Sequence, residues 1–206
     1  MISALVAAGA LSGGALGFVL RGRRYLEQPS SPLSWWFVAA AAAASAAAMG
    51  TLAWRVVDPV LLAAGCLFVA GGVVAVWTDL DAHLLLDVLT LPLAGTILVL
   101  LTGAAVSTGE WGRWWSAVGA AVVVSVVLLL WAIFGSLGFG DVKLGLAVGL
   151  VLGYAGGWAM TIRGVLFSLL LAAVFAVVLL MAGRSRKSHL PLGPALVLGV
   201  FACLVV

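Results

Sequence analysis

The sequence predicts an all-α protein: a polytopic integral membrane bundle of about eight transmembrane helices, one domain over residues 1–206. Three observations lead there. Hydrophobic residues are 65% of the chain and charged ones 8%, whereas a soluble domain is about half apolar and a quarter charged. The apolar residues fall into charge-free runs at 2–20, 35–54, 59–78, 88–106, 114–137, 144–162, 164–183 and 190–206, and roughly 17–25 helical residues cross the hydrocarbon. Trp35, Trp36, Trp54, Trp77, Trp111, Trp114 and Trp115 stand at or beside the ends of those runs, as interfacial belts require.

Each run can be justified in order. The first has its arginines, Arg21, Arg23 and Arg24, after the apolar stretch; a cleavable signal carries them before it, so the run reads as a retained span. Residues 21–34 form the longest polar stretch, a basic anchor and turn in which Pro29 and Pro32 prevent a continuous helix. The second run is rich in Ala, a strong helix former. The third ends in Trp77-Thr-Asp-Leu-Asp, and the fourth follows Asp87. Arg113 opens the fifth run, and Arg163 divides the sixth from the seventh. The eighth is short, and its opening Leu190-Pro-Leu-Gly-Pro makes its first turn irregular. With eight spans, one side holds Arg21, Arg23, Arg24, Lys143, Arg184, Arg186 and Lys187, and the other Arg55, Arg113 and Arg163. The positive-inside rule then puts the first set in the cytoplasm.

Several function classes drop out. Cys66 and Cys203 lie inside apolar runs and read as small hydrophobes, not as a disulfide or a thiolate metal site. The net charge of +3 is clustered beside apolar segments, so nucleic acid is not an expected partner. His83 and His189 lack ligand spacing, and neither a metal nor any other cofactor is expected.

The chemistry rests with the acids. Asp58 and Glu110 stand near Arg55 and Arg113, and Glu27 among the first arginines; these read as solvated surface pairs. Asp79, Asp81 and Asp87 crowd the end of the third run, and Asp141 stands just before the sixth. The charge count places both groups on the cytoplasmic face. Acids near membrane depth are expensive and mark function. Two carboxyls brought together share a proton, leaving one to act as base and the other as acid. Gly138 and Gly140 flank Phe139 directly ahead of Asp141, where positive φ and close backbone approach to a substrate are expected.

These residues resemble the type IV prepilin peptidases, GxGD membrane aspartyl proteases. The likeness is carried by Gly138-Phe-Gly-Asp-Val-Lys-Leu144 and by an upstream Asp-Leu-Asp-x-x-Leu-Leu-x-Asp-x-Leu-Thr-Leu-Pro at residues 79–92. A third part is Leu190-Pro-Leu-Gly-Pro-Ala-Leu-Val-Leu-Gly199, similar to the family's closing helix. It is strongest over residues 59–206 and implies a single transmembrane peptidase domain. Asp79 and Asp141 are implied as the catalytic pair, with Gly138, Gly140, Lys143, Asp81 and Asp87 binding substrate or supporting them. Leu86 replaces the family's usual Pro before the residue matched by Asp87, and a snorkelling anchor explains Lys143 equally well. Family members often carry paired cysteines after the first helix; residues 21–34 hold none, so a zinc site of that kind and methyltransferase activity are not expected. The implied substrate is a prepilin or pseudopilin of type IV pilus or type II secretion systems, cut after its basic leader at the cytoplasmic face of the bacterial inner membrane. The bilayer and that substrate helix are the expected partners. The competing class is a small transporter or channel with Asp79, Asp81 and Asp141 in an ion path; no matched, interrupted repeats support it.

Overall fold

A computed structural model describes residues 2–22, 32–82, 85, 87–134, 137–181 and 192–206. All regular structure among them is helical: α1 (Ile2–Arg21), α2 (Trp35–Arg55), α3 (Pro59–Ala82), α4 (Asp87–Thr108), α5 (Trp111–Phe134), α6 (Phe139–Met181) and α7 (Leu192–Val205). Six of these are long and apolar enough to cross a membrane, and α7 is a shorter apolar helix. The protein is a multi-pass membrane bundle.

At about 1.5 Å per residue, the 43 residues of α6 would run roughly twice the ~30 Å of hydrocarbon if straight. They do not run straight. At Gly156 and Gly157 the backbone leaves helical angles, with Gly157 at φ 61° and ψ −150°, a conformation that favours glycine. The chain folds back there, and Gly164 on the second limb packs against Leu152 on the first. Counting the limbs, 139–155 and 158–181, separately gives eight helical segments among the described residues. The division was expected at Arg163, which instead lies inside the second limb. Its exposed side chain lines a groove with Leu166, Phe167 and Cys203, where a long stem tolerates apolar surroundings without ending a helix.

Small residues set the helix spacing, because lipid offers no hydrophobic drive between helices and close contact must supply the attraction. Gly9, Gly13 and Gly17 lay one stripe of α1 against Ala41 and Ser45 of α2, and Gly145, Gly149 and Gly153 lay the first limb of α6 against Leu128, Ala121 and Ala117 of α5. Phe68, Leu52, Ile97, Leu101, Leu144, Val148, Leu152 and Leu196 fill the core between them.

One end of the bundle is tied by Arg113. Its guanidinium reaches Asp58 at 2.7 Å and Glu110 at 3.1 Å, donates to the Tyr154 carbonyl at 3.3 Å, and lies 4.0 Å from the Tyr154 ring centre. Burial pushes the Asp58 carboxyl up, but N–H donation from Leu61 and Val60 together with Arg113 outweighs it and holds the group below the usual carboxylate range. The expectation of simple pairs shared between Arg55 and Arg113 is corrected: Arg113 takes both acids, and Arg55 lies over the Trp54 ring. Arg113 wins because α5 begins beside the turn holding Glu110 and faces the α2–α3 junction.

Two kinds of glycine should respond oppositely to Ala. Gly149→Ala drives a Cβ into the Ala121 backbone and should cost about 1–3 kcal/mol, whereas Gly103→Ala meets nothing within 4 Å and should be neutral or add about 0.4–1 kcal/mol. Thermal unfolding in one detergent compares them, and equal midpoints would contradict the packing described.

Candidate functional site

The opposite end of the bundle gathers the informative acids. Helix α3 runs four residues past its expected end at Thr78, so Asp79 and Asp81 lie on its last turn. Helix α6 starts five residues before its expected start at Leu144, which puts Asp141 in its first turn, its N–H bonded to the Gly138 carbonyl at 3.1 Å. Asp79 and Asp141 are buried, 6% and 5% exposed, and their carboxyls lie within electrostatic reach of each other.

The third element at the site is the start of α7. The Gly193 N–H donates to Asp79 Oδ2 at 3.0 Å, across 114 residues of chain. Backbone N–H groups in a helix's first turn lack intrahelical acceptors and carry partial positive charge, so a carboxylate satisfies them. Pro194 in that turn forfeits no helical hydrogen bond. Gly193 is required for the approach: a Cβ there would lie 2.8 Å from Asp79 Oδ2. Asp141 is held differently, as its Oδ1 is buried without a hydrogen-bond partner among the described residues. Thr78, buried beside Asp79, turns its hydroxyl back to the Val74 carbonyl at 3.0 Å.

Gly138 and Gly140 are at the site but not as expected. The only positive-φ glycines among the described residues are Gly109 and Gly157, so neither Gly138 nor Gly140 supplies a left-handed turn. Gly140 allows close packing instead, since a Cβ there would strike Leu85, drawing the segment after α3 onto the start of α6. Gly138 is exposed, and a Cβ on it would meet Asp141 Oδ2 at 3.6 Å. Asp81 and Lys143 are half-buried at the same end. Asp87 is the first residue of α4, with its side chain outside the description; His83, His189 and Glu27 lie outside the described residues. Among the described residues no three His, Cys, Asp or Glu side chains gather as a metal site.

Sequence reasoning did not assign Gly193 or Leu85 a role. The Gly-Pro pair opening the last apolar run was the available signal for Gly193: a glycine followed by proline suits a helix start that another group must approach closely.

Fold and site together define a multi-pass membrane protein with two buried carboxyl groups at one end of the bundle. The model of the Type IV leader peptidase family matches residues 66–181. That is more than half of the chain and includes both acids, and the protein belongs to this peptidase family. No curated protein and no solved structure matches the chain.

The unequal surroundings of the two acids predict opposite stability effects. Asp141→Ala removes a buried oxygen without a partner and should raise the unfolding midpoint; Asp79→Ala strands the Gly193 N–H and should lower it, each by about 1–3 kcal/mol. Thermal unfolding of the two variants in detergent tests this, and shifts of the same sign would refute it.

Proposed function

We propose that this chain is an aspartic endopeptidase that removes the basic leader from prepilin-like or pseudopilin-like proteins at the cytoplasmic face of a bacterial inner membrane. The observation carrying the reading is the burial of Asp79 and Asp141 at the same end of the bundle, on the last turn of α3 and the first turn of α6. Membership of the leader peptidase family supports it.

In the mechanism, Asp79 is the base. Its carboxylate accepts the Gly193 N–H, takes a proton from water, and the oxygen of that water attacks the scissile carbonyl carbon. Asp141 is the acid and donates a proton to the carbonyl oxygen as the tetrahedral intermediate forms. Collapse breaks the C–N bond: the proton acquired by Asp79 passes to the leaving amine, and Asp141 takes back a hydroxyl proton of the intermediate as the carbonyl re-forms, which restores both groups. The Oδ1 of Asp141, lacking a partner among the described residues, is available to the substrate carbonyl or the attacking water. Gly138, which has no Cβ to stand beside Asp141, leaves the approach to that acid open, Gly140 packs on Leu85, and Asp81 and Lys143 supply charge at the same end. Asp81 and Asp87 suit the Lys or Arg residues of a leader, an attraction that weakens with salt. Nothing in this scheme requires a cofactor, and methyl transfer is not part of it.

Asp79→Asn and Asp141→Asn should each lower leader cleavage by at least about a thousandfold, as loss of either half of an acid–base pair does, while Asp81→Asn retains substantial turnover. Cleavage of a synthetic leader–helix substrate in liposomes measures this; full activity of Asp141→Asn would end the mechanism. The orientation has its own test. Single cysteines replacing Ser136 and Ser185 should react with an impermeant thiol reagent only from the cytoplasm, and one replacing Thr108 only from outside, following the Lys and Arg distribution. Reaction of Thr108→Cys from the cytoplasm would reverse the assignment.

A further inference from the structure

An apolar groove of about 500 Å³ opens between α2, α3 and α7, lined by Ala44 and Ala47 of α2, Val73 and Trp77 of α3, and Val197 and Phe201 of α7. From Phe37 to Thr51, its limits along α2, it extends roughly 20 Å at 1.5 Å per residue, a large part of the ~30 Å hydrocarbon. No lining residue is charged. Between Phe37 and Thr51 the α2 wall is all alanine, and Ala40, Ala44 and Ala47 in it are exposed. Small side chains on an exposed helix face let a second backbone come close.

The groove is continuous with the candidate site. Its inner end is Trp77, which packs on Phe37 with ring centres 3.9 Å apart and precedes Asp79 by two residues. Its α7 wall begins at Val197, one turn after Gly193, the donor to Asp79. The helices forming two of its walls are therefore the two joined at Asp79. The charge distribution matches as well: apolar along its length, with Asp79 and Asp81 on the last turn of α3 beyond it. A ligand complementary to that sequence of surfaces is an apolar helix with a basic segment at one end.

We propose that this groove docks the apolar helix of the substrate, seating it parallel to α2 so that the bond at the leader junction reaches Asp79 and Asp141. The proposal rests on the peptidase reading above and adds to it the surface that sets substrate choice.

The test compares the wild-type chain with Ala44→Leu and Ala47→Leu in liposomes on two synthetic substrates. One has a Lys/Arg leader, a Gly junction and an apolar helix of about 20 Leu, Val and Ala residues; the other stops shortly after the junction. Filling the groove should raise KM for the long substrate about tenfold, the equivalent of 1.4 kcal/mol, with a smaller change in kcat. Shortening the substrate should raise KM for the wild type likewise, and the two losses should not add, because both remove the same contact. Val126→Leu, on the exposed face of α5, should leave KM unchanged. Independently, Ala44→Cys in a background with Cys66 and Cys203 replaced by Ala should, with an added thiol oxidant, form a disulfide with a cysteine in the substrate's apolar helix, which decides the matter if the bulkier variants fail to insert. An unchanged KM, losses that add, or absence of the disulfide would overturn the groove assignment while wild-type cleavage kept the peptidase reading intact. Losses that appear in liposomes but not when the same kinetics are repeated in lipid-free detergent would make the occupant an acyl chain and overturn it equally. Cleavage of neither substrate by the wild type would remove the peptidase reading and the groove assignment with it.

Discussion

A carboxylate buried in an apolar bundle must find a donor inside the protein, because an unpaired charge there costs several kcal/mol. Asp79 finds it in the Gly193 N–H, and much of the architecture follows from that single bond. It sets the depth of α7, whose first turn must meet the last turn of α3. With that end fixed, α7 packs Gly199 against Ser168, which locates the second limb of α6. The reversal at Gly156 and Gly157 then becomes necessary, since one sequence segment must bring Asp141 to Asp79 by its first turn and still reach α7 on its way back.

The two ends of the bundle solve different polar problems. At the Arg113 end, charges of both signs are present, and the guanidinium satisfies two acids and a carbonyl at once. At the Asp79 end two buried acids share one end of the bundle, and a backbone N–H, that of Gly193, donates to Asp79. The first arrangement ties three helix junctions together and leaves its charges partly exposed to solvent. The second keeps a buried oxygen of Asp141 without a partner among the described residues, an arrangement typical of sites whose stability has been given up for chemistry.

Most of the helix plan could be read from the sequence because charge-free runs of membrane length have few alternatives. The failures share one cause: charge was used as the marker of a helix end. Arg163 is charged but long, and its stem lies along apolar surface inside a helix, whereas the actual break is written in two uncharged glycines. Asp79, Asp81 and Asp141 were placed beyond helix ends for the same reason, although the first and last turns of helices hold acids readily when a backbone donor or another chain segment receives them. Both acids of the pair were legible from residue type and motif. What joins them was not, because the Gly193 contact depends on a backbone N–H, and backbone donors are the same at every position except proline. Gly140 was recognised as special for the wrong physical reason: its missing Cβ admits Leu85 without any unusual backbone angle.

Asymmetry between the two acids bears on how such a pair can be charged and still fold. A pair with identical surroundings would leave the position of the shared proton undetermined, and the attacking water would have no preferred side. Here the backbone breaks the tie. Asp79 is anchored by a donor that cannot rotate away, at the positive end of a helix, while Asp141 presents an oxygen with no competing donor among the described residues. In the proposed mechanism this asymmetry prepares one carboxyl to accept a proton and the other to give one before substrate arrives, the kind of prior orientation that lowers a barrier without reorganisation during the reaction. The helix carrying the donor also forms a wall of the apolar groove, so on the proposed docking a substrate helix would bear on the same element that positions Asp79.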